Sequence, residues 1–180
     1  MERFDIYDEN RNLTGRTKGR GEKLEEGEFR LVVHVVIFNS KGEMLIQQRQ
    51  PFKKSWPNFW DLSVGGCAIS GETSKQTAQR ELFEELGIDL DFSKLRPKIT
   101  FNFDEAFNDV FIIEKDIDLN DLNLQYEEVQ TAKWATEEEV LSLIEEGAFI
   151  PYSESYLSLL FYMHKYNGTR RLRKYNDKMA

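Results

Sequence analysis

An α+β fold built on a mixed sheet is predicted for this chain, and three features carry that expectation. Runs rich in valine, isoleucine and aromatic residues recur over 29–38, 44–49, 99–103, 109–115 and 129–135 of its 180 residues, as strands that bury at least one face do. One uninterrupted stretch, Thr73 to Leu86, has helical spacing and falls among these strands. Further helical stretches close the chain. Strands gathered around one helix, with more helices after it, make an α+β or mixed-sheet sandwich arrangement.

Taken in order, Phe4-Asp5-Ile6-Tyr7 reads as a short strand, followed by a glycine-rich connection with Gly15, Gly19 and Gly21. Phe29–Phe38 reads as a mostly buried strand, Asn39-Ser40-Lys41-Gly42 as a turn, and Met44–Arg49 as a returning strand that makes a hairpin with it. Residues 50–59, with Pro51, Trp56 and Pro57, form a loop, and Trp60–Val64 leads into Gly65 and Gly66. Thr73 with Gln76 is a capping box. No proline or glycine interrupts the helix that follows, and Gly87 stands where a left-handed C-cap wants glycine. Ala78, Leu82 and Leu86 recur at fourfold spacing, so that side packs inward and the acidic side faces out of the core.

Ile99–Phe103, Asp109–Lys115 and Val129–Ala135 are the remaining strands. Thr136 with Glu139 caps a helix to about Glu146, and Pro151–Tyr166 is a last helix with Tyr156, Leu159, Leu160 and Met163 on one face. The whole is expected to be one domain: an N-terminal extension (1–28), a core (29–147) and a C-terminal helix and tail (148–180).

Composition narrows the function. The net charge is −8, which does not suit general nucleic-acid binding by charge alone; small anionic substrates stay open. No apolar run approaches 20 residues, so no membrane span is expected, and the N-terminus lacks the character of a signal or transit peptide. The single cysteine, Cys67, suggests a reducing cytoplasm. Extra apolar faces on the extension and last helix offer a surface for a homodimer.

The chemistry is concentrated in 66–88. Glu81, Glu84 and Glu85 stand at i, i+3 and i+4, which share one face of a helix. Like charges so close repel one another, and the usual reason for such a cluster is a hard divalent cation such as Mg²⁺, which takes carboxylate oxygens and bridges to phosphates. Gly65, Gly66 and Gly71 let the backbone approach a ligand closely.

Gly66, then Glu72, then Arg80-Glu81-Leu82-Phe83-Glu84-Glu85-Leu86-Gly87-Ile88 resembles the Nudix box at all nine defined positions. The resemblance implies an α/β/α sandwich with a mixed sheet between helices. It also implies hydrolysis of a diphosphate linked to another moiety with Mg²⁺ or Mn²⁺. By it, Glu81, Glu84 and Glu85 bind the metal, the Gly66 carbonyl adds a ligand, and Glu84 or Glu81 orients or deprotonates the attacking water. Arg80, with Glu72, holds the carboxylates in place, and Gly87 is structural.

Beyond the box, the extension, Val32–Gln50 and Trp56-Pro57-Asn58-Phe59-Trp60 resemble the branch near isopentenyl-diphosphate isomerase. An isomerase of that type needs a catalytic cysteine where this chain has Gly65. Its metal-binding histidines align with Cys67, Lys23 and Arg30, and its metal glutamates with Phe107 and Asp109. A complete box without those ligands favours hydrolysis; isomerisation, or a non-catalytic binding module, are the alternatives.

Other candidates are weighed against blander roles. Arg49 can reach phosphate or pair with a carboxylate. Trp56, in a loop that also carries Lys53 and Lys54, can stack on a substrate, while Trp60 heads a strand and suits the core. Arg16, with Lys18 and Arg20, can reach a phosphate. Arg170, Arg171, Arg173 and Lys174 suit a solvated tail. Cys67 suits a small buried hydrophobe better than a nucleophile, and His34 a hydrogen-bonded core residue. His164 is expected to be structural or exposed. Asp104, Glu105, Asp109 and Glu128 are unranked candidates for a further metal carboxylate. The leaving group is not readable from loops 50–59, 102–108 and 116–127.

Overall fold

One nine-residue strand organises the molecule. The computed structural model describes residues 2–103 and 105–166. Strand β1 (Arg3–Tyr7) pairs antiparallel with β2 (Leu13–Gly19), so the segment expected as a glycine-rich connection is mostly a strand. The central strand is β3 (Arg30–Phe38), followed by β4 (Met44–Arg49), β5 (Trp60–Asp61) and β6 (Val64–Cys67). Helix α1 (Ser74–Leu86) comes next, then β7 (Ile99–Phe103), β8 (Ala106–Glu114), β9 (Val129–Ala135), α2 (Glu137–Glu145) and α3 (Glu154–Tyr166).

β3 runs parallel to β8 over its full length, from Arg30 opposite Ala106 to Phe38 opposite Glu114. Its other edge is shared. Val32 to Val35 pair antiparallel with β6, and only Phe38, opposite Met44, pairs with β4. The expected hairpin over 29–49 is therefore tight only at its turn, where Asn39 Oδ1 accepts from the backbone N–H groups of Lys41 and Glu43. Beyond the turn β6 takes the place beside β3, and β4 pairs with β9 and β5 instead. A cleft opens where β3 and β4 part.

Alternation along β3 sends side chains to two cores. Val33, Val35 and Ile37 pack with Ala78, Leu82 and Leu86 of α1 and with Phe111. Val36 and Phe38 pack with Val110, Val140, Phe149, Leu157, Leu160 and Phe161 on the opposite face. Helices thus cover both faces of a mixed sheet, the α/β/α sandwich that the resemblance implied.

The helix signals hold in detail. Thr73 and Gln76 form a reciprocal capping box, and Gly87 closes α1 in the left-handed conformation at φ 72°. A Cβ on Gly87 would also lie 2.7 Å from Asn123 Cβ. Thr136 and Glu139 form the second capping box. The last helix differs from expectation: its buried side is Leu157, Leu160 and Phe161, while Leu159 is 37% exposed. Phe38 accounts for this face, since its ring lies edge-on to Phe161 with centroids 5.0 Å apart.

β8 begins three residues earlier than expected because it buries two polar side chains, Asn108 and Asp109, which disguise a strand. Asp109 accepts from Arg11 and, at 2.7 Å, from Thr100. The basic cluster at Arg170–Lys174 and the candidate Asp104 lie outside the described residues.

The two faces of α3 give a direct comparison. Leu160→Ala is expected to destabilise the protein by about 2–5 kcal/mol, and Leu159→Ala to stay within about 0.5 kcal/mol. Urea unfolding of both variants checks this; similar losses would mean that the helix face is misassigned.

Candidate active site

The cleft beside β3 is closed by β6, the loop that follows it, and α1. Arg80 organises this region. Its Nε donates to Glu72 Oε1 at 2.7 Å and its Nη2 to Glu72 Oε2 at 2.9 Å, a two-pronged pairing. Nη2 also reaches the Cys67 carbonyl at 3.2 Å, while Nη1 reaches Glu84 Oε2 and Glu81 Oε1, each at 3.0 Å. Glu72 accepts further from Thr77 Oγ1 and the Ile69 N–H. Burial pushes the Glu72 carboxyl up, but the Arg80 and Thr77 bonds outweigh it and hold it below its usual range. The same carboxylates hold the Arg80 guanidinium firmly protonated.

The two glycines of β6 differ in what they accommodate. A Cβ on Gly66 would fall 2.1 Å from Glu81 Oε1, so the carboxyl end of Glu81 occupies the space that a side chain would fill. A Cβ on Gly65 would fall 2.7 Å from His34 Cδ2. Gly66 is therefore a cradle for a box carboxylate, and Gly65 a clearance for a buried ring.

Two of the three box carboxylates are withdrawn from solvent. Burial lifts Glu81 to about 7, with Arg80 opposing and Glu84 and Glu72 adding to the rise. Glu85 is only 6% exposed, against the expectation that the acidic side faces out of the core. Burial, then Glu81, Glu128 and Asp61, push its carboxyl well above the usual range. Its offset is Gln47, whose Nε2 donates to Glu85 Oε2 at 2.9 Å and whose Oε1 is buried without a donor among the described residues. The side chain of Glu84 is 47% exposed.

A pocket of about 400 Å³ lies over these groups. Of the residues expected from sequence, it brings together Glu81, Glu84, Glu85, Gly66, Arg80 and Arg49. Arg49 lies 3.7 Å from Asp61. Glu128 is the additional carboxylate in the pocket, and it carries the Lys53 ammonium. Asp109 is elsewhere, engaged by Arg11. Arg16 does not line the pocket. It pairs with Glu28 at 2.6 Å, as Lys18 does, and Arg20 and Arg30 stand at the pocket instead. Trp56 also lies off the pocket, 44% exposed and edge-on to Phe59.

A polar chain runs through His34 and Asp61 of the lining; His34 is hydrogen-bonded as expected, but its partners were not legible. Tyr152 donates to Asp61 Oδ1 at 3.0 Å and lies 3.4 Å from His34 Nε2. Asn108 Nδ2 is 2.8 Å from His34 Nδ1. Burial holds the His34 pKa down, and Asn108 Oδ1 also lies 3.1 Å from the same Nδ1, so Asn108 can serve either tautomer of the ring. Tyr152 precedes a helix and Asp61 sits in a two-residue strand, so no spacing in the sequence links them. Cys67 lines the pocket, but burial pushes its thiol up, which disfavours the thiolate a nucleophile needs.

Among the described residues, no group of three or more His, Cys, Asp or Glu side chains is already converged on a metal position. Arg80 holds Glu81 and Glu84, and Gln47 holds Glu85. The donor set still fits a hard cation: it is all oxygen, and its buried negative charge is what such an ion neutralises. Binding one would require Glu81 and Glu84 to turn from Arg80, and Glu85 to share its oxygens with Gln47.

The NUDIX domain model matches residues 28–155, and the chain belongs to that family. It is 55% identical over 152 residues to an uncharacterized Nudix hydrolase of Listeria monocytogenes, covering 84% of this chain and 90% of that one. It is 35% identical to an uncharacterized Nudix hydrolase of Pseudomonas aeruginosa, over 78% and 81% of the two chains. The crystal structure of DR0079 from Deinococcus radiodurans superposes with a TM-score of 0.71 at 27% identity, covering 88% of this chain and 97% of that one. The protein is thus an enzyme of the Nudix hydrolase class. The curated relatives carry the hydrolase name; the isomerase resemblance gains no support from them.

Gly65→Ala is expected to cost about 1–3 kcal/mol, because the buried, hydrogen-bonded His34 ring cannot step aside. Gly66→Ala is expected to cost clearly less, because the unbranched Glu81 side chain can rotate aside with loss of its Arg80 contact. Thermal denaturation of the two variants decides; equal losses would contradict the cradle assignment.

Proposed function

We propose that the protein hydrolyses a diphosphate linked to another moiety, such as a nucleoside diphosphate derivative, in a reaction that depends on Mg²⁺ or Mn²⁺. The supporting observation is that Glu81, Glu84, Glu85 and Glu128 line one pocket together with the cations Arg49 and Lys53. Glu81, Glu84 and Glu85, with the Gly66 carbonyl, are the groups that would hold the metal, and Glu128 is the best-placed further carboxylate. A divalent ion held there supplies charge neutralisation and a more acidic bound water.

The rest is the work of the chain's own groups. Arg49 and Lys53 orient the diphosphate oxygens for in-line attack, which needs positioning and charge neutralisation more than covalent chemistry. We assign the water-activating role to Glu84, the most exposed of the box carboxylates, which has Arg80 as its only ion-pair partner among the described residues. Arg80 gathers Glu81 and Glu84 at one nitrogen until they are used, and Glu72 anchors Arg80. The extension and the core act as one unit in this reading, and a cytoplasmic setting suits the single Cys67.

A panel of diphosphate compounds, isopentenyl diphosphate among them, tests this. Chelation with EDTA is expected to abolish turnover and added Mg²⁺ or Mn²⁺ to restore it. Glu84→Gln is expected to lower kcat by about 10²–10⁴-fold with unchanged thermal stability. Near-full activity in that variant would remove Glu84 from the role, and isomerisation without phosphate release would overturn hydrolysis.

A further inference from the structure

Six cationic side chains line the pocket, and five have partners. Arg80 is held by Glu72, Arg49 by Asp61, Lys53 by Glu128, Arg20 by Glu2 at 3.0 Å, and Arg3 by Thr17 Oγ1 at 2.9 Å. Arg30 differs: its Nε is buried and meets no acceptor among the described residues. Leaving such a donor buried and unpaired is costly, and an anion that arrives from outside is a partner suited to its charge.

The position of Arg30 says where that anion lies. Arg30, Val32 and His34 alternate onto the pocket face of β3. Val33 is opposite Gly66, the cradle of Glu81. Arg30 is three residues further along, about 10 Å at the rise of a strand. The offset along the strand, and the opposite facing of Arg30 and Val33, place Arg30 at a different part of the pocket from the carboxylate cradled at Gly66. Cys67 lies between the two ends.

This end of the pocket is walled by the N-terminal hairpin, which lies before the NUDIX match at 28–155. The hairpin is fastened to the loop ahead of α1. The Arg3 carbonyl accepts from the Ser70 N–H at 2.8 Å, and the Asp5 carboxylate accepts from Ser70 Oγ at 2.6 Å and the Gly71 N–H at 2.8 Å. Arg3 and Arg20 are thereby held beside Arg30 rather than left on a loose arm.

We propose that Arg30, with Arg20 from the hairpin, forms a subsite for a second anionic group, a phosphate carried by the part of the substrate that departs. The subsite extends the hydrolase reading above, which supplies the other end of the substrate. It prefers compounds in which the diphosphate is joined to a moiety that is itself phosphorylated.

Two measurements on the full chain test it. In EDTA, inorganic phosphate binding is followed by calorimetry for the parent, Arg30→Gln and Glu84→Gln. Saturable binding is expected in the parent and in Glu84→Gln, and is expected to weaken about 10-fold or more in Arg30→Gln. Binding that does not depend on Arg30 would overturn the proposal.

With metal, kcat/KM is compared for coenzyme A against dephospho-coenzyme A, and for a nucleoside triphosphate against its diphosphate. The parent is expected to favour the more phosphorylated member of one pair, and that ratio is expected to collapse about 10- to 100-fold in Arg30→Gln, with partial recovery in Arg30→Lys. The pair that responds tells whether the phosphate sits on the sugar or in the chain. Equal loss on both members of both pairs would place Arg30 on the scissile diphosphate and sink the subsite. Failure of the hydrolase reading looks different: no metal-dependent turnover of any compound, with Arg30-dependent phosphate binding intact.

Discussion

The site depends on one electrostatic arrangement, the pairing of Arg80 with Glu72. Three carboxylates on adjacent turns of α1 repel one another, and two of them are largely removed from water. A single guanidinium, oriented by both oxygens of Glu72, spreads its remaining N–H groups to Glu81, Glu84 and the Cys67 carbonyl. This ties the loop before α1, the end of β6 and the acidic face of α1 to one planar group. An ammonium in its place offers no such fork.

The sheet supplies the frame in which that arrangement sits. β3 is covered on both faces and paired on both edges, and its change of partner from β4 to β6 opens the cleft. The chemistry is therefore set at a discontinuity in pairing rather than on a continuous sheet surface. Both glycines of β6 are needed at that discontinuity because a box carboxylate and a histidine ring occupy the space above them.

Local signals made α1 legible in the sequence: a capping box, fourfold apolar spacing and a terminal Gly87 act within a few residues of one another. The box carboxylates were legible for the same reason. Features that depend on partners far along the chain were not. The strand Leu13–Gly19 has little apolar alternation and two glycines, and is a strand because β1 lies beside it. Asn108 looks like a loop residue until His34 supplies its bond. Glu128 comes from a loop and stood level with Asp109 until the chain was folded. Arg16 and Lys18 share one face of β2 and are both claimed by Glu28, and it is Arg20, past the end of that strand, that turns to the pocket.

The parallel ladder between β3 and β8 bears on how the protein comes to be folded. It joins Arg30 to Ala106, with the whole of α1 and its acidic face in the intervening chain. Contacts so distant in sequence close a long loop before they return any stabilisation, which slows folding. A nascent chain released only as far as Ile88 already contains every box residue, yet β3 still lacks the neighbour that lines its full length. The apolar side chains of β3 stay exposed over that interval, which makes this strand the segment most open to wrong pairing during synthesis.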